Sequence, residues 1–395
     1  MSALERRSSI SLALIFALRM LGLFLVLPVF MLEASKYPGG DDPALVGLAM
    51  GMYGLTQAFL QLPLGMASDR FGRKRVIVAG LLVFAAGSLI AALATDITGL
   101  LVGRGLQGAG AVSAAVTALL ADQTRDVVRT KAMALVGISI GLMFAIALVA
   151  GPLLAGAIGL DGLFAFTFAL TLAGIAVVLW VVPPEPRRHA DAPTGRLVDV
   201  LRHADLMRVN LGVFALHTIQ MSMWVAVPAM LVQAGLAKQA HWQVYLPAVV
   251  LSIVAMGGLF SMERRGKLRA AMLLAIGMIA VVQLALALLA RSGAAPTLLA
   301  MGALLFVFFC GFNMMEATQP SLVSRMAPAS LRGAALGTYN TLQSIGLFAG
   351  GALGGALAKW YGASGLFVAT AVIGLLWLVL TWPLKPVGRD SAHAH

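Results

Sequence analysis

Twelve stretches of this chain run for about the thickness of a bilayer with almost no charge in them. They cover roughly 10–32, 44–66, 76–95, 98–121, 132–157 and 162–182, then 209–233, 242–261, 270–290, 296–322, 333–358 and 362–382. About 20 apolar residues at 1.5 Å per residue span a hydrocarbon core of about 30 Å, so each run is long enough to cross. None alternates with period 2 as a barrel strand would. Backbone groups in lipid must find partners within their own segment, so the runs are predicted helices. Composition matters at one point: 60% of the 395 residues are hydrophobic and 11% charged, against about 25% charged in a soluble domain. A soluble core of this size has no room for so much apolar surface. The first run is too long for a signal-peptide core and contains Arg19, so it is expected to be retained. The single cysteine, Cys310, excludes an intrachain disulfide.

The net charge of +12 is spread over short loops. That distribution sets topology; it does not build a nucleic-acid surface. With the N-terminus placed in the cytoplasm, 22 of the 28 Lys and Arg fall on the cytoplasmic side. Lys36, Lys238, Arg291 and Lys359 fall outside, while Arg19 and Arg104 lie within runs. This is the positive-inside bias, and it predicts that both termini are cytoplasmic.

The longest polar stretch follows the sixth run. Pro183, Pro184 and Pro186 stop that run, and Arg187, Arg188, His189 and Asp191 follow. The chain is therefore read as an N-terminal bundle (1–184), a cytoplasmic linker (185–207) and a C-terminal bundle with a short tail (208–395). Within the linker Leu197, Val200, Leu201 and Ala204 share one helical face, which suits either a short interfacial helix or a solvated connector. The halves echo each other: Asp69-Arg70-Phe71-Gly72-Arg73 recurs as Glu263-Arg264-Arg265-Gly266-Lys267, 194 positions later. Internal duplication is a hallmark of secondary transporters.

Gly65-Met66-Ala67-Ser68-Asp69-Arg70-Phe71-Gly72-Arg73-Lys74 resembles the loop signature of the major facilitator superfamily at every fixed position. Gly65 would let helices approach, Gly72 would allow a tight turn, and a carboxylate such as Asp69 suits a helix N-terminus. The resemblance implies that Asp69 faces the start of the eleventh helix near Ser330 to Gly333, and that Arg73 pairs with Asp122. Together they would form a cytoplasmic latch, with a weaker second copy at Glu263, Gly266 and Lys267, where Ser324 stands in place of an acid. Arg104-Gly105-Leu106-Gln107-Gly108-Ala109-Gly110-Ala111 resembles the fourth-helix motif of the same superfamily. Arg104, Gln107, Gly108 and Ala111 would share a face, and the motif implies a role for Arg104 in proton or substrate handling, with snorkelling towards the outer surface as the alternative. Gly151-Pro152 resembles the fifth-helix motif of its antiporter branch, where Pro152 would give a pliable kink. With Arg19-Met20-Leu21-Gly22 and Tyr53-Gly54-Leu55-Thr56-Gln57, the whole chain is similar to the YajR-like branch of twelve-helix bacterial drug/proton antiporters. It is expected to lack the extra C-terminal soluble domain, since only a short polar tail follows the last run.

The fold this implies is all-α: twelve transmembrane helices in two pseudo-symmetric six-helix bundles. The resemblance also sets the first, fourth, seventh and tenth helices around a central cavity, which would place Arg19, Arg104, His217 and Glu316 around one space. Glu316 is the only carboxylate well inside a run, with Asn313 and Pro320 on its face, and is expected to be a buried, titratable group. His217 shares a face with Gln220, Met221 and Trp224, and histidine titrates near neutral pH. Glu316, with His217 as partner or second site, is expected to couple proton movement to substrate movement; the alternative is that Glu316 pairs permanently with a buried arginine or with helix ends and only sets packing. Arg19 serves either as counter-charge to Glu316 or as an anion-binding group, and the residues do not choose. Tyr53, Gln57, Gln220, Trp224, Asn313, Asn340 and Gln343 are cavity candidates, although interhelical hydrogen bonding is the commoner use of such residues.

No phosphate-binding loop, His-Glu-x-x-His, paired cysteine ligands or Gly-x-Ser-x-Gly elbow occurs. The expectation is therefore a transporter without cofactor, driven by the proton gradient. It would be a monomer in a bacterial inner membrane, exporting small, drug-like molecules in exchange for protons. A proton-coupled uptake permease is the alternative; a membrane enzyme or a channel is more remote. The partners expected are lipid, a small-molecule substrate and protons, with no nucleic acid.

Overall fold

The computed structural model describes residues 1–185, 197–328 and 331–384. Among them every regular element is helical. The chain divides into two compact units: Met1–Ala190 with Lys238–Trp242, and Asp191–Ala237 with Gln243–His395. The linker residues 186–196, Ser330 and the tail from 385 onward lie outside the described residues.

In the first unit, α1 (Ala3–Val26) opens on a capping box in which Ser2 and Glu5 each satisfy the other's backbone N–H. The first run was expected to reach residue 32 unbroken. Pro28 cannot donate to a helix, so α1 ends at Val26 and a short α2 (Phe30–Ala34) follows. α3 (Pro43–Phe71) starts behind an Asp42 cap with proline at its first turn, and α4 (Arg73–Ala92) begins one residue after it ends. The fourth run was expected to be one helix but is two, α5 (Ile97–Ala109) and α6 (Ser113–Asp122). Packing explains the break. A methyl at Gly110 would meet the Gly80 carbonyl oxygen at 2.5 Å, and one at Gly103 would meet Ala91 and Gly87 within 2.8 Å. These glycines press the backbone of α5 and its C-terminal turn against α4. Ala111 consequently falls past the end of α5 and off the helical face expected for it.

The fifth and sixth runs lie within one long element, α7 (Asp126–Ala176), closed by a π-turn at Val177–Val181. Gly159 reverses the chain between them at φ 71°, ψ −175°. The eleventh and twelfth runs repeat this within α13 (Arg332–Thr381), where Gly362 adopts φ 68°, ψ −176°. The same backbone device thus recurs 203 residues apart, a second trace of duplication.

The second unit begins with α8 (Leu197–Arg202), whose Val200 is buried while Val198 and Leu201 are exposed. Then come α9 (Ala204–Gln233), α10 (Trp242–Arg264), α11 (Leu268–Arg291), α12 (Leu298–Met326) and α13. Asp42, Asp96 and Thr297 cap α3, α5 and α12 with side-chain oxygens. Among the described residues nine helices are long and apolar enough to cross a membrane. Two of these are double, and α5 with α6 completes one more, giving twelve crossings.

The principal helix pair of each unit is built alike. Gly151 on α7 lies against the Leu25 carbonyl of α1, where a methyl would come within 2.5 Å. Gly346 and Gly350 on α13 lie against the Phe214 and Thr218 carbonyls of α9, at 2.5 and 2.4 Å from an added methyl. Small residues let backbones touch where lipid offers no hydrophobic drive for association. α7 stays helical through Pro152, and its one non-helical residue lies seven positions later, at Gly159.

Candidate functional site

Three polar clusters stand out from the apolar packing. In the first unit α1, α3, α5 and α6 bring both Arg19 and Arg104 to Tyr53, the first at its hydroxyl and the second over its ring. Arg19 Nη1 donates to Ser113 Oγ at 2.8 Å, and Nη2 donates to Tyr53 Oη at 2.7 Å and Gln57 Oε1 at 3.3 Å. Its guanidinium also lies 5.5 Å from the Phe84 ring centre. Arg104 Nη1 donates to Gln107 Oε1 at 2.9 Å, Nη2 donates to the Met50 carbonyl at 3.3 Å, and its Cζ sits 5.0 Å from the Tyr53 ring centre. Gln107 passes the contact to Ser88 at 2.9 Å, tying the motif to α4. Thr56 Oγ donates to the Gly105 carbonyl at 2.7 Å. Gly108 is required here, because a methyl would fall 2.0 Å from the Tyr53 carbonyl oxygen. Both arginines are fully buried.

In the second unit α9, α12 and α13 bring together His217, Glu316 and Gln343. His217 Nδ1 lies 3.0 Å from the Val213 carbonyl, Nε2 lies 3.2 Å from Glu316 Oε1, and Gln343 Nε2 is 2.9 Å from the same Nε2. A carbonyl only accepts, so Nδ1 carries the proton of neutral His217, and Nε2 presents a lone pair to Gln343 and to the carboxylate. Glu316 is less buried than expected: 35% of its side chain is accessible. The reason is local, since the neighbouring Asn313 and Ala317 are not buried either. Asn313 binds Ser252 Oγ of α10 at 2.9 Å, a bridge between helices. Trp224 stacks edge-on to Tyr245 at 5.5 Å; Gln220 is buried, Asn340 is half-buried, and the Asn340 carbonyl accepts from Ser344. The four charged candidates thus come together two by two, each pair in its own unit.

The third cluster is the loop after α3. Arg73 bonds Asp69 at 2.6 Å, Asp122 at 3.2 Å and Ser68 Oγ at 2.6 Å. Gly72 caps α4 at φ 99°, a conformation that side chains resist, and Arg70 lies over the Phe71 ring. Gly65 is freer than expected, since a methyl would meet Ala114 at ordinary van der Waals distance, 3.4 Å. Of the segment Ser330 to Gly333 expected to face Asp69, Ser330 lies outside the described residues and the rest belongs to the other unit. Sequence reasoning missed Glu185, whose carboxylate accepts from the backbone N–H groups of Arg73 and Lys74 at 3.0 and 2.6 Å. It is the helix N-terminal carboxylate of this loop. The signal was present in Pro184-Glu185-Pro186, an acid fixed where the sixth run stops. Around it the departing chain is held by Arg7, Lys74 and Gln123, which donate to the carbonyls of Val181, Val182 and Pro183. Burial pushes the Lys74 ammonium below its usual range, and Glu185 partly restores it.

The second copy of this loop is paired differently from the expectation. Gly266 keeps a positive φ of 77°, and Lys267 takes the cap position of α11. Glu263, however, pairs with Arg325 of α12 at 3.3 Å, so the acid lies on the last turn of α10 and the base on the facing helix. Sequence reasoning looked for an acid at Ser324 and passed over its neighbour. At the other end of the first unit, Glu33 is buried between Lys36 and Lys238 and bonds both. Its carboxylate holds the Lys36 ammonium above its usual range. Among the described residues no cluster of His, Cys, Asp and Glu suits a metal ion.

The Major Facilitator Superfamily profile matches residues 12–351. The chain belongs to that superfamily. It is 41% identical over 389 residues to the inner membrane transport protein YajR of Escherichia coli K12, covering 96% of this chain and 84% of that one. It is 30% identical to the class G tetracycline resistance protein of Vibrio anguillarum, over 54% of this chain and 56% of that one. Among solved structures, a bacterial homologue of the human lysosomal transporter Spinster superposes with TM-score 0.77 at 15% identity, covering 99% of each chain. This chain is therefore an integral membrane transporter with the fold of the superfamily, and not an enzyme.

Proposed function

We propose that this transporter exports small organic molecules in exchange for protons, with Glu316 and His217 as its proton-binding pair. The observation that carries this reading is the 3.2 Å approach of Glu316 Oε1 to His217 Nε2. With Nδ1–H committed to Val213, neutral His217 and ionised Glu316 oppose lone pairs, and one added proton turns that repulsion into a charge-assisted bond. The Gln343 amide serves both states, donating to Nε2 when it is bare and accepting from it after a reversal of the amide. Such a pair holds one proton and can release it when the helices move.

Several further features support the reading. Gly151-Pro152 resembles the antiporter motif, and a relative is named for tetracycline resistance. The relative YajR is named as an inner membrane protein, which supports the same location here. The Asp69–Arg73–Asp122 network with Glu185 works as a cytoplasmic latch, made and broken in an alternating-access cycle. The chain acts as a monomer with both termini cytoplasmic, and needs no cofactor because the proton gradient supplies the energy. The test is a panel of compounds on proteoliposomes with an imposed pH gradient. The expected result is substrate-dependent proton movement opposite to substrate flux; transport indifferent to the gradient, or protons moving with the substrate, would reject antiport.

A further inference from the structure

Among the described residues, the first unit buries two positive charges and pairs neither with a negative one. Arg19 and Arg104 are 2% and 1% exposed. Every group hydrogen-bonded to them is neutral: Ser113, Tyr53, Gln57, Gln107 and the Met50 carbonyl. The Nε–H of each arginine has no acceptor at all. A guanidinium offers five donors, and a buried charge left without a counter-ion is costly, more so at the depth of a membrane.

Seven acids of the unit have other partners among the described residues. Glu5 holds Arg125, Glu33 holds Lys36 and Lys238, and Asp69 and Asp122 hold Arg73. Asp42 and Asp96 cap helices, and Glu185 caps α4. Among the described residues, no ion pair of this unit includes Arg19 or Arg104. A ligand that carries a negative charge would supply what these partners lack.

The cluster has a way in. Ser113 and Gln57, on the Arg19 side, are only part-buried, whereas Arg104 with Gln107 and Ser88 is sealed. Arg19 is therefore the group within reach of a ligand, and Arg104 adds its charge from behind Tyr53. Phe84 packs beside the Arg19 guanidinium from the buried side. A cationic ligand would meet two like charges in a low-dielectric setting, a strong discrimination against it.

We propose that Arg19, backed by Arg104 through Tyr53, binds the anionic group of a small organic substrate, a carboxylate on an apolar body. This rests on the proposed transport function and names the charge of its cargo. Binding in detergent needs no gradient, so the outcome is separate from the question of proton coupling. The test is calorimetric titration of the purified full-length protein with naphthoate, naphthamide and naphthylmethylammonium, which share a body and differ in charge.

The expected result is that naphthoate binds roughly tenfold or more tighter than the amide, with the cation weakest, the scale of a charge-assisted bond. Arg19→Gln should abolish that preference without moving the amide, and Arg19→Lys should keep part of it. Equal binding of the three compounds to the native protein, which involves no variant, would overturn the proposal. So would an Arg19→Gln protein, monodisperse on size exclusion, that still prefers naphthoate. Inorganic phosphate and phosphatidylglycerol form two further arms; an Arg19-dependent heat from either, with none from naphthoate, would assign the charge to an inorganic ion or to lipid and reject an organic cargo.

Discussion

Gly108→Ala puts the packing around the arginine cluster to a direct test. The added methyl would lie 2.0 Å from the Tyr53 carbonyl oxygen and 2.2 Å from Thr56 Oγ. A backbone oxygen cannot swing aside, so α3 and α5 must part by roughly 1 Å to restore contact distance. Overpacking of this kind costs about 1–3 kcal/mol. The shift also breaks the 2.7 Å bond from Thr56 to the Gly105 carbonyl, worth about 1 kcal/mol. At about 2–4 °C per kcal/mol, the scale of a 150–250-residue domain, the melting temperature in detergent should fall by roughly 4–16 °C. Size-exclusion after stepwise heating would read it. Gly141→Ala is the comparison, since nothing lies within 4 Å of its added methyl, and it should melt no lower than the native protein. If Gly108→Ala melts with the native protein, the close approach of α3 and α5 described above is wrong.

Glu185→Ala should free the first turn of α4, because both amides it accepts from lose a charged partner. Hydrogen exchange over peptides covering Arg73 to Val76 should quicken, with a stability loss of about 1 kcal/mol; unchanged exchange would mean that Glu185 is not the cap. Glu5 supplies a pH dependence. Arg125, bonded to it at 2.8 Å, holds its carboxyl well below the usual carboxylate range. A depressed folded value means that the stabilisation is complete above the unfolded value, about pH 4.3, and is lost as the pH falls through the folded one. The melting difference between native and Glu5→Gln proteins should therefore be constant near neutrality and shrink in strong acid. A difference that grows on acidification would reverse the assignment.

The membrane class, the duplicated halves and the loop signature were legible because each rests on local composition or on a short fixed spacing. Twelve apolar runs need only counting, and Gly72 and Gly266 announce their turns. Details that depend on contact between helices were not legible. The break after Ala109 comes from glycines on α4 and α5 meeting face to face, which no periodicity in the fourth run records. Glu316 reads as buried from its place in an apolar run, yet its accessibility depends on which neighbours cover it, and they leave 35% open. His217 and Glu316 were brought together by their chemistry and by the family resemblance; their registers on α9 and α12 bring them to 3.2 Å, and Gln343 joins them from α13. Glu185 and Arg325 escaped notice because their partners are 112 and 62 residues away, one of them through backbone N–H groups.

The most direct test of proton coupling at the Glu316–His217 pair compares two modes of transport in one variant. Glu316→Gln keeps the size and polarity of the side chain and removes its ability to take and give a proton. In proteoliposomes it should still exchange labelled for unlabelled substrate across a membrane with no gradient, while failing to accumulate substrate when a pH gradient is imposed. Gradient-driven accumulation at the native level in Glu316→Gln would contradict the account.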